Sequence, residues 1–255
     1  MHKLLKLAVT ALGLLALVRL ASAAPESASE THSVDARVAR VQLDGAVDLR
    51  IRQGSPAMLI LSGDPRWLAG LTILQRGDTI NIGGGGRRGL RLVQDPVRAE
   101  LVLPTLREVS SEGLGATDIS GFSGEELALA LDGAGSMTVN VRYRLISASL
   151  GGVGSMQLDG VQSERIDLDL HGAGHVMLAG RSRLLRAELS GVGGLDARRF
   201  TAENVTLDLS GLGNATVTAN GSANLNLSGM GSATIYGKPL NRKVSVDGLG
   251  KVSWR

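Results

Sequence analysis

The sequence predicts an all-β fold: a parallel β-helix, or solenoid, with coils of about 19–20 residues that turn at Gly-x-Gly corners. The first observation is a recurring pair of glycines: Gly113 and Gly115, Gly133 and Gly135, Gly152 and Gly154, Gly172 and Gly174. It continues as Gly191 and Gly193, Gly211 and Gly213, Gly229 and Gly231, Gly248 and Gly250, at steps of 20, 19, 20, 19, 20, 18 and 19 residues. Self-similarity at a fixed period of this length marks stacked repeats. The second is that apolar and polar residues alternate on both sides of each pair, as in short strands with one buried face. The third is composition: two Trp, two Tyr and two Phe in 255 residues leave a core of thin, repeated aliphatic layers.

Along the chain, residues 1–23 come first. "MHKLLKLAVTALGLLALVRLASA" has a basic head, a mainly apolar run of twelve residues between Lys6 and Arg19, and small residues at Ala21, Ser22 and Ala23. That is the form of a secretory signal peptide. A spanning helix would need about 20 apolar residues, and no later run is long enough, so the exported chain is expected to carry no transmembrane segment. Lys3, Lys6 and Arg19 leave with the signal, which takes 27 basic residues to 24 against 24 acidic ones. A nucleic-acid role, which needs a basic stripe, loses its support. With no cysteine, disulfides, thiolate metal sites and a cysteine nucleophile are excluded.

Residues 24–34 are expected as a flexible lead-in, and 35–255 as one β-helix domain. Its first part, 35–104, lacks Gly-x-Gly but keeps strand signals through Val47, Leu49 and Ile51, then Met58 and Ile60. Terminal repeats cap a stack and are expected to be atypical. In the regular coils, 105–255, the position two before each first glycine holds Leu131, Leu150, Leu170, Leu189, Leu209, Leu227 and Val246. Four before stand Leu129, Ala148, Leu168, Ala187, Leu207, Leu225 and Val244. Four after come Met137, Met156, Val176, Leu195, Ala215, Ala233 and Val252; six after, Val139, Leu158, Leu178, Ala197, Val217, Ile235 and Trp254. A hairpin meander or propeller would also use two strands per unit, and "DG" at 132–133 suits a hairpin turn. That dipeptide is not sustained, and a propeller blade needs about twice this length. The near-constant step favours coils that all close to one circumference. The glycines are expected to supply positive φ at the corner.

The run "VQLDGAVDLRIRQGSPAMLILSGD", the join "VLPTLREVSSEGLGATDISG" and the units "LSGLGNATV" and "LSGMGSATI" resemble the putative auto-transporter adhesin, head GIN domain family. The likeness spans about 200 residues, with "VARVQLDG" in place of the family's hydrophobic-aspartate opening as a mild departure. It implies a parallel β-helix-like fold and a bacterial envelope location, periplasmic or at the cell surface. No catalytic residue carries over from it.

Candidate chemistry is sparse. Asp169, Glu188 and Asp208 recur three before the glycine pair, with Asp167 beside them, an arrangement of stacked carboxylates suited to recruiting a cation such as Ca²⁺; the plainer reading is a solvated face. His171 and His175 flank one corner, read as two tolerated polar substitutions. "GGGGRRG" at 83–89, with Arg87 and Arg88, resembles an anion cradle but lacks the Lys-Ser/Thr of a phosphate loop and reads as a flexible turn. The middle residue of each pair is always apolar: Leu114, Ala134, Val153, Ala173, Val192, Leu212, Met230 and Leu249. If the glycines reverse the chain, these fill the corner of the core, the favoured reading; otherwise they form an exposed stripe for a partner. Together the expectation is an exported, non-enzymatic binding or structural protein, adhesin-like, without metal or cofactor, whose partner is an envelope protein or a glycan. The alternatives are a polysaccharide-active, lyase-like enzyme, which the short steps leave little room for, and a Ca²⁺-binding envelope module using the acidic ladder.

Overall fold

Period-two alternation sustained through many coils makes one face of every strand apolar, and stacking is the only way a coil this thin can bury it. The computed structural model describes residues 28–84 and 97–255. The expected signal at 1–23 lies outside the described residues, as do Arg87 and Arg88. In chain order the elements are β1 (Ala28–Ser33), β2 (Arg40–Leu43), β3 (Val47–Gln53), β4 (Met58–Gly63), α1 (Pro65–Leu68), β5 (Leu71–Arg76), β6 (Thr79–Gly84), β7 (Val97–Leu103) and β8 (Glu108–Ser111). Six long strands follow: β9 (Ala116–Leu131), β10 (Ser136–Leu150), β11 (Val153–Leu170), β12 (Ala173–Leu189), β13 (Val192–Leu209) and β14 (Leu212–Leu227). The chain closes with β15 (Ser232–Tyr236), β16 (Asn241–Val246) and β17 (Lys251–Trp254).

Each long strand pairs in parallel with the next, from β9 to β14, and the expected columns superpose. Leu129 lies in register with Ala148, then Leu168, Ala187, Leu207, Leu225 and Val244. The fold is therefore a parallel β-solenoid of about seven turns. Every long strand supplies two legs. The first half of β14 pairs with β15 and the second half with β16, so the chain turns between them. That second corner carries the register shifts, such as those between Asn140 and Leu145 and between Leu158 and Val161. Differences of one or two residues in coil length are absorbed there, which leaves the glycine corner constant.

The core runs unbroken from Val34 to Ile235. Besides the four expected columns it holds a fifth, Leu127, Ile146, Ile166, Leu185, Val205 and Ala223, and the second-corner residues Phe122, Val141, Tyr143, Val161 and Phe200. Tyr143 donates its hydroxyl to the Leu106 carbonyl at 2.6 Å. Burial pushes its pKa up to about 12 from 10.0. A raised folded pKa means that the stability gained by keeping the phenol neutral is complete below pH 10 and is lost as pH climbs through about 12. Tyr143→Phe strands a buried carbonyl, so it is expected to cost about 1–3 kcal/mol at neutral pH. It should also flatten the alkaline fall in Tm, which thermal melts from pH 8 upward would measure.

The N-terminal cap departs from chain order. β2 lies between β6 and β8, and β3 between β7 and β9, all parallel. The coil made by β6 and β7 thus sits outside the earlier one made by β2 and β3. Antiparallel strands finish the end: β5 on β6, β4 on β7, and β1 on β4. Buried Leu68 of α1 covers the layer beneath. The lead-in expected to be flexible is, from Ala28 to Ser33, strand β1 with six residues in register along β4. A polar strand on the outer edge needs no apolar face, which is why alternation did not reveal it.

The glycine corners correct the expected reason for glycine. Of the sixteen, only Gly193 and Gly248 have φ in the left-handed region, at 151° and 138°. The middle residue donates its N–H to the first glycine one coil below: Ala134 to Gly113, Val153 to Gly133, Ala173 to Gly152, Val192 to Gly172 and Leu212 to Gly191, at 3.0–3.1 Å. This draws each carbonyl beneath the next glycine. A Cβ on Gly133, Gly152, Gly172, Gly191 or Gly211 would fall inside 3.0 Å of the carbonyl oxygen below it. Close approach of stacked backbones, more than handedness, excludes a side chain.

Candidate functional site

The alternation does not reverse at the corner. Positions two before, at, two after and four after the first glycine all face inward, so the glycines themselves occupy core slots where the legs converge. The middle residue falls out of phase and points to solvent. This overturns the expectation that it fills the core. Leu114, Val153, Val192, Leu212, Met230 and Leu249 are 49 to 82 % exposed, and Ala134 and Ala173 are exposed beside them. Ladder bonds lock Val153, Ala173, Val192 and Leu212 in one register. At a rung spacing of about 4.8 Å, eight side chains make a straight apolar ridge roughly 34 Å long. Lone exposed aliphatics are ordinary, but a contiguous row is not. Its flank on the approach side is polar, with Glu112, Asp132, His171, Ser190, Ser210, Ser228 and Asp247 exposed.

The predicted acidic column lies where the sequence placed it, with Asp167 beside it. Asp169, Glu188 and Asp208 stack in register, and Asp167 lies one column over, opposite Arg186. Each carboxylate already has a partner. Arg165 holds Asp167 at 2.8 Å, His171 approaches Asp169 at 3.4 Å, Arg186 pairs with Glu188, and Asn226 donates to Asp208 at 2.6 Å. Among the described residues no group of three or more His, Cys, Asp and Glu could hold a metal ion. The ladder is a set of partnered carboxylates, two of them ion-paired to arginine, beside a shallow trough of about 530 Å³ lined by Ala128, Ala130, Ser147 and Ser149.

His171 and His175 address different carboxylates. His171 meets Asp169, whereas His175 sits across the corner near Asp196. A hydrogen bond from Arg198 holds the Asp196 carboxyl down at about 2, so it remains ionised across the physiological range. Of the 83–89 stretch, Gly83 and Gly84 end β6, and the remainder lies outside the described residues. A larger groove of about 1030 Å³ follows the second corner between cap and coils. Arg40 bridges Asp78 and Glu108 across it, at 3.2 and 3.1 Å, and Arg144 joins Glu125 and Glu164 on its rim, at 2.6 and 2.9 Å. These side chains satisfy one another and brace adjacent coils.

Sequence reasoning missed one coil. "DGAV" at 44–47 is a ninth corner, because Leu114 donates to Gly45 and a Cβ on Gly113 or Gly115 would strike Gly45 or Val47. The signal was a single glycine flanked by Leu43 and Val47, too short without its stacking partner.

The profile of a family described as "Putative auto-transporter adhesin, head GIN domain" matches residues 39–239. Comparison with curated proteins gives no match. Among solved structures, a putative adhesin from Parabacteroides distasonis superposes with TM-score 0.82 at 17% identity, covering 90% of this chain and 97% of that one. A putative lipid binding protein from the same species gives 0.78 at 18%, covering 89% and 96%. A putative adhesin from Bacteroides fragilis gives 0.70 at 18%, covering 91% and 98%. At these identities the likeness speaks for the fold alone. Among the described residues no helix is long and apolar enough to cross a membrane.

Proposed function

Because the chain belongs to the Putative auto-transporter adhesin, head GIN domain family, we propose that it is a non-enzymatic binding protein of the bacterial envelope, exported by its N-terminal signal. The glycine-corner ridge is its contact surface. One observation carries this reading: a row of aliphatic side chains is held in water along the length of the stack, where no packing need puts it. Among the described residues of β9 to β14, the inward columns are buried and the remaining outward columns are mainly polar. A rigid row bypasses the backbone part of the ordering cost of association, since ladder bonds fix the spacing of its residues before a partner arrives. Its lack of hydrogen-bonding groups suits an apolar protein surface better than a hydroxyl-rich glycan. The matched ion pairs of the grooves support a bracing role there.

A triple variant, Val153→Ser, Val192→Ser and Leu212→Ser, is expected to melt near the parent temperature, since exposed substitutions cost within about 0.5 kcal/mol each. It should lose retention of the partner captured by the parent chain from an envelope extract. Equal capture by both would refute the ridge as contact surface. The name of the lipid-binding neighbour suggests a second arm, because the same row would suit an acyl chain. Flotation with phosphatidylglycerol vesicles distinguishes that occupant from a protein.

A further inference from the structure

The two ends of the stack are finished differently. The N-terminal end is covered by β1, β4, β5 and α1. At the C-terminal end β16 pairs only with β14, and β17 only with β15, so among the described residues their outer edges have no strand partner. An open edge presents unpaired N–H and C=O groups that template a further strand. The side chains there are unlike those of any other coil. The inward column that holds Leu127, Ile146, Ile166, Leu185, Val205 and Ala223 ends in Arg242, in register after Ala223. Its guanidinium sits 4.5 Å from the Trp254 ring centroid. Val244 and Val246 continue the aliphatic columns yet remain 42% and 44% exposed.

Charge at this end is one-sided. From residue 238 to 255 stand Lys238, Arg242, Lys243, Lys251 and Arg255 against the single acid Asp247. None of the five cations forms an ion pair among the described residues. Two copies meeting edge to edge at this end would set five cations against five, so a symmetric dimer is disfavoured. We propose that β16 is an acceptor for an extended acidic segment of a partner protein, added as one more parallel strand. Recognition follows the pleat: an Asp or Glu over Arg242, then aliphatic residues two and four positions later over Val244 and Val246. The incoming strand would complete the edge, neutralise Arg242 and take two exposed valines out of water. This surface is separate from the corner ridge and does not depend on it.

The test uses the purified chain and a fluorescein-labelled peptide, Ser-Glu-Thr-Val-Thr-Val-Ser, followed by anisotropy. Saturable binding is expected, weakening with added salt as the charges are screened. Arg242→Glu should weaken it about tenfold or more, and replacing the peptide's Glu by Lys should restore binding to that variant, which also shows the variant folded. Amide exchange at Val244 and Val246 should slow on binding. The ridge variant Val153→Ser, Val192→Ser, Leu212→Ser should bind the peptide like the parent, even if it fails to capture an envelope partner. The proposal is overturned by absence of saturation at millimolar peptide, by equal affinity of parent and Arg242→Glu, or by loss of binding in the ridge variant instead.

Discussion

Gly211→Ala is expected to destabilise the fold by about 3 kcal/mol, and Gly211→Val by more. The new Cβ would collide with the Gly191 carbonyl oxygen. That oxygen already accepts the Leu212 N–H at 3.1 Å. Neither group is a flexible side chain that can swing aside, so relief requires prising two rungs apart and stretching ladder bonds on both legs. For a chain of this size the loss corresponds to a fall in Tm of about 6–12 °C. A comparison variant separates the two reasons for glycine. At Gly250 the oxygen below, on Gly231, is 3.1 Å from the Cβ position, because the last coil is less tightly seated. Gly250→Ala should therefore cost clearly less than Gly211→Ala. Equal costs in parallel melts would show that conformational freedom, and not rung spacing, demands glycine at these corners.

Phe200→Ala is expected to lose about 3–5 kcal/mol, a drop in Tm of roughly 6–20 °C. Phe200 is wholly buried at the second corner. One coil below, its register partner is Gly180, which offers no side chain and could not acquire one, since a Cβ there would meet the Val161 backbone. One coil above, the register between β13 and β14 is interrupted from Asp196 to Thr201, so no residue is paired with Phe200 from that side. The ring thus fills volume that neither neighbour can reclaim, and its removal leaves a cavity rather than a collapse. Urea unfolding should show a lower midpoint with an unchanged slope. A loss below 1 kcal/mol would mean that the corner repacks.

The same two sites show what local patterning conveys. The step between glycine pairs and the aliphatic columns at Leu131, Leu129, Met137 and Val139 were legible because side-chain alternation is a property of neighbouring residues, repeated eight times. Phe200 was not legible. It lies at the second corner, where coil length varies and no column recurs, so its burial depends on Gly180 one coil away. The ridge was legible in principle: counting the alternation through Gly211 and Gly213 places Leu212 out of phase with Leu209 and Ala215. The acidic ladder was read correctly as a column at Asp169, Glu188 and Asp208. Its contacts with Arg186 and His171 lie two residues along the chain, whereas that of Asp208 with Asn226 depends on register across strands, which one strand's sequence does not state.

By itself, the sequence determined the coil period, the inward columns and the parallel stacking that follows from them, since each coil exposes an apolar face that only an identical neighbour can cover. Tertiary structure alone decided the order of rungs in the cap, where β6 and β7 lie outside β2 and β3, and the pairing of polar β1 along β4. It also decided that one end is covered while the other ends on Arg242 and an edge with no strand partner among the described residues. The physical reason is range: alternation is set between adjacent residues, whereas the choice of which strand lies beside which is made by backbone bonds between segments far apart in the chain.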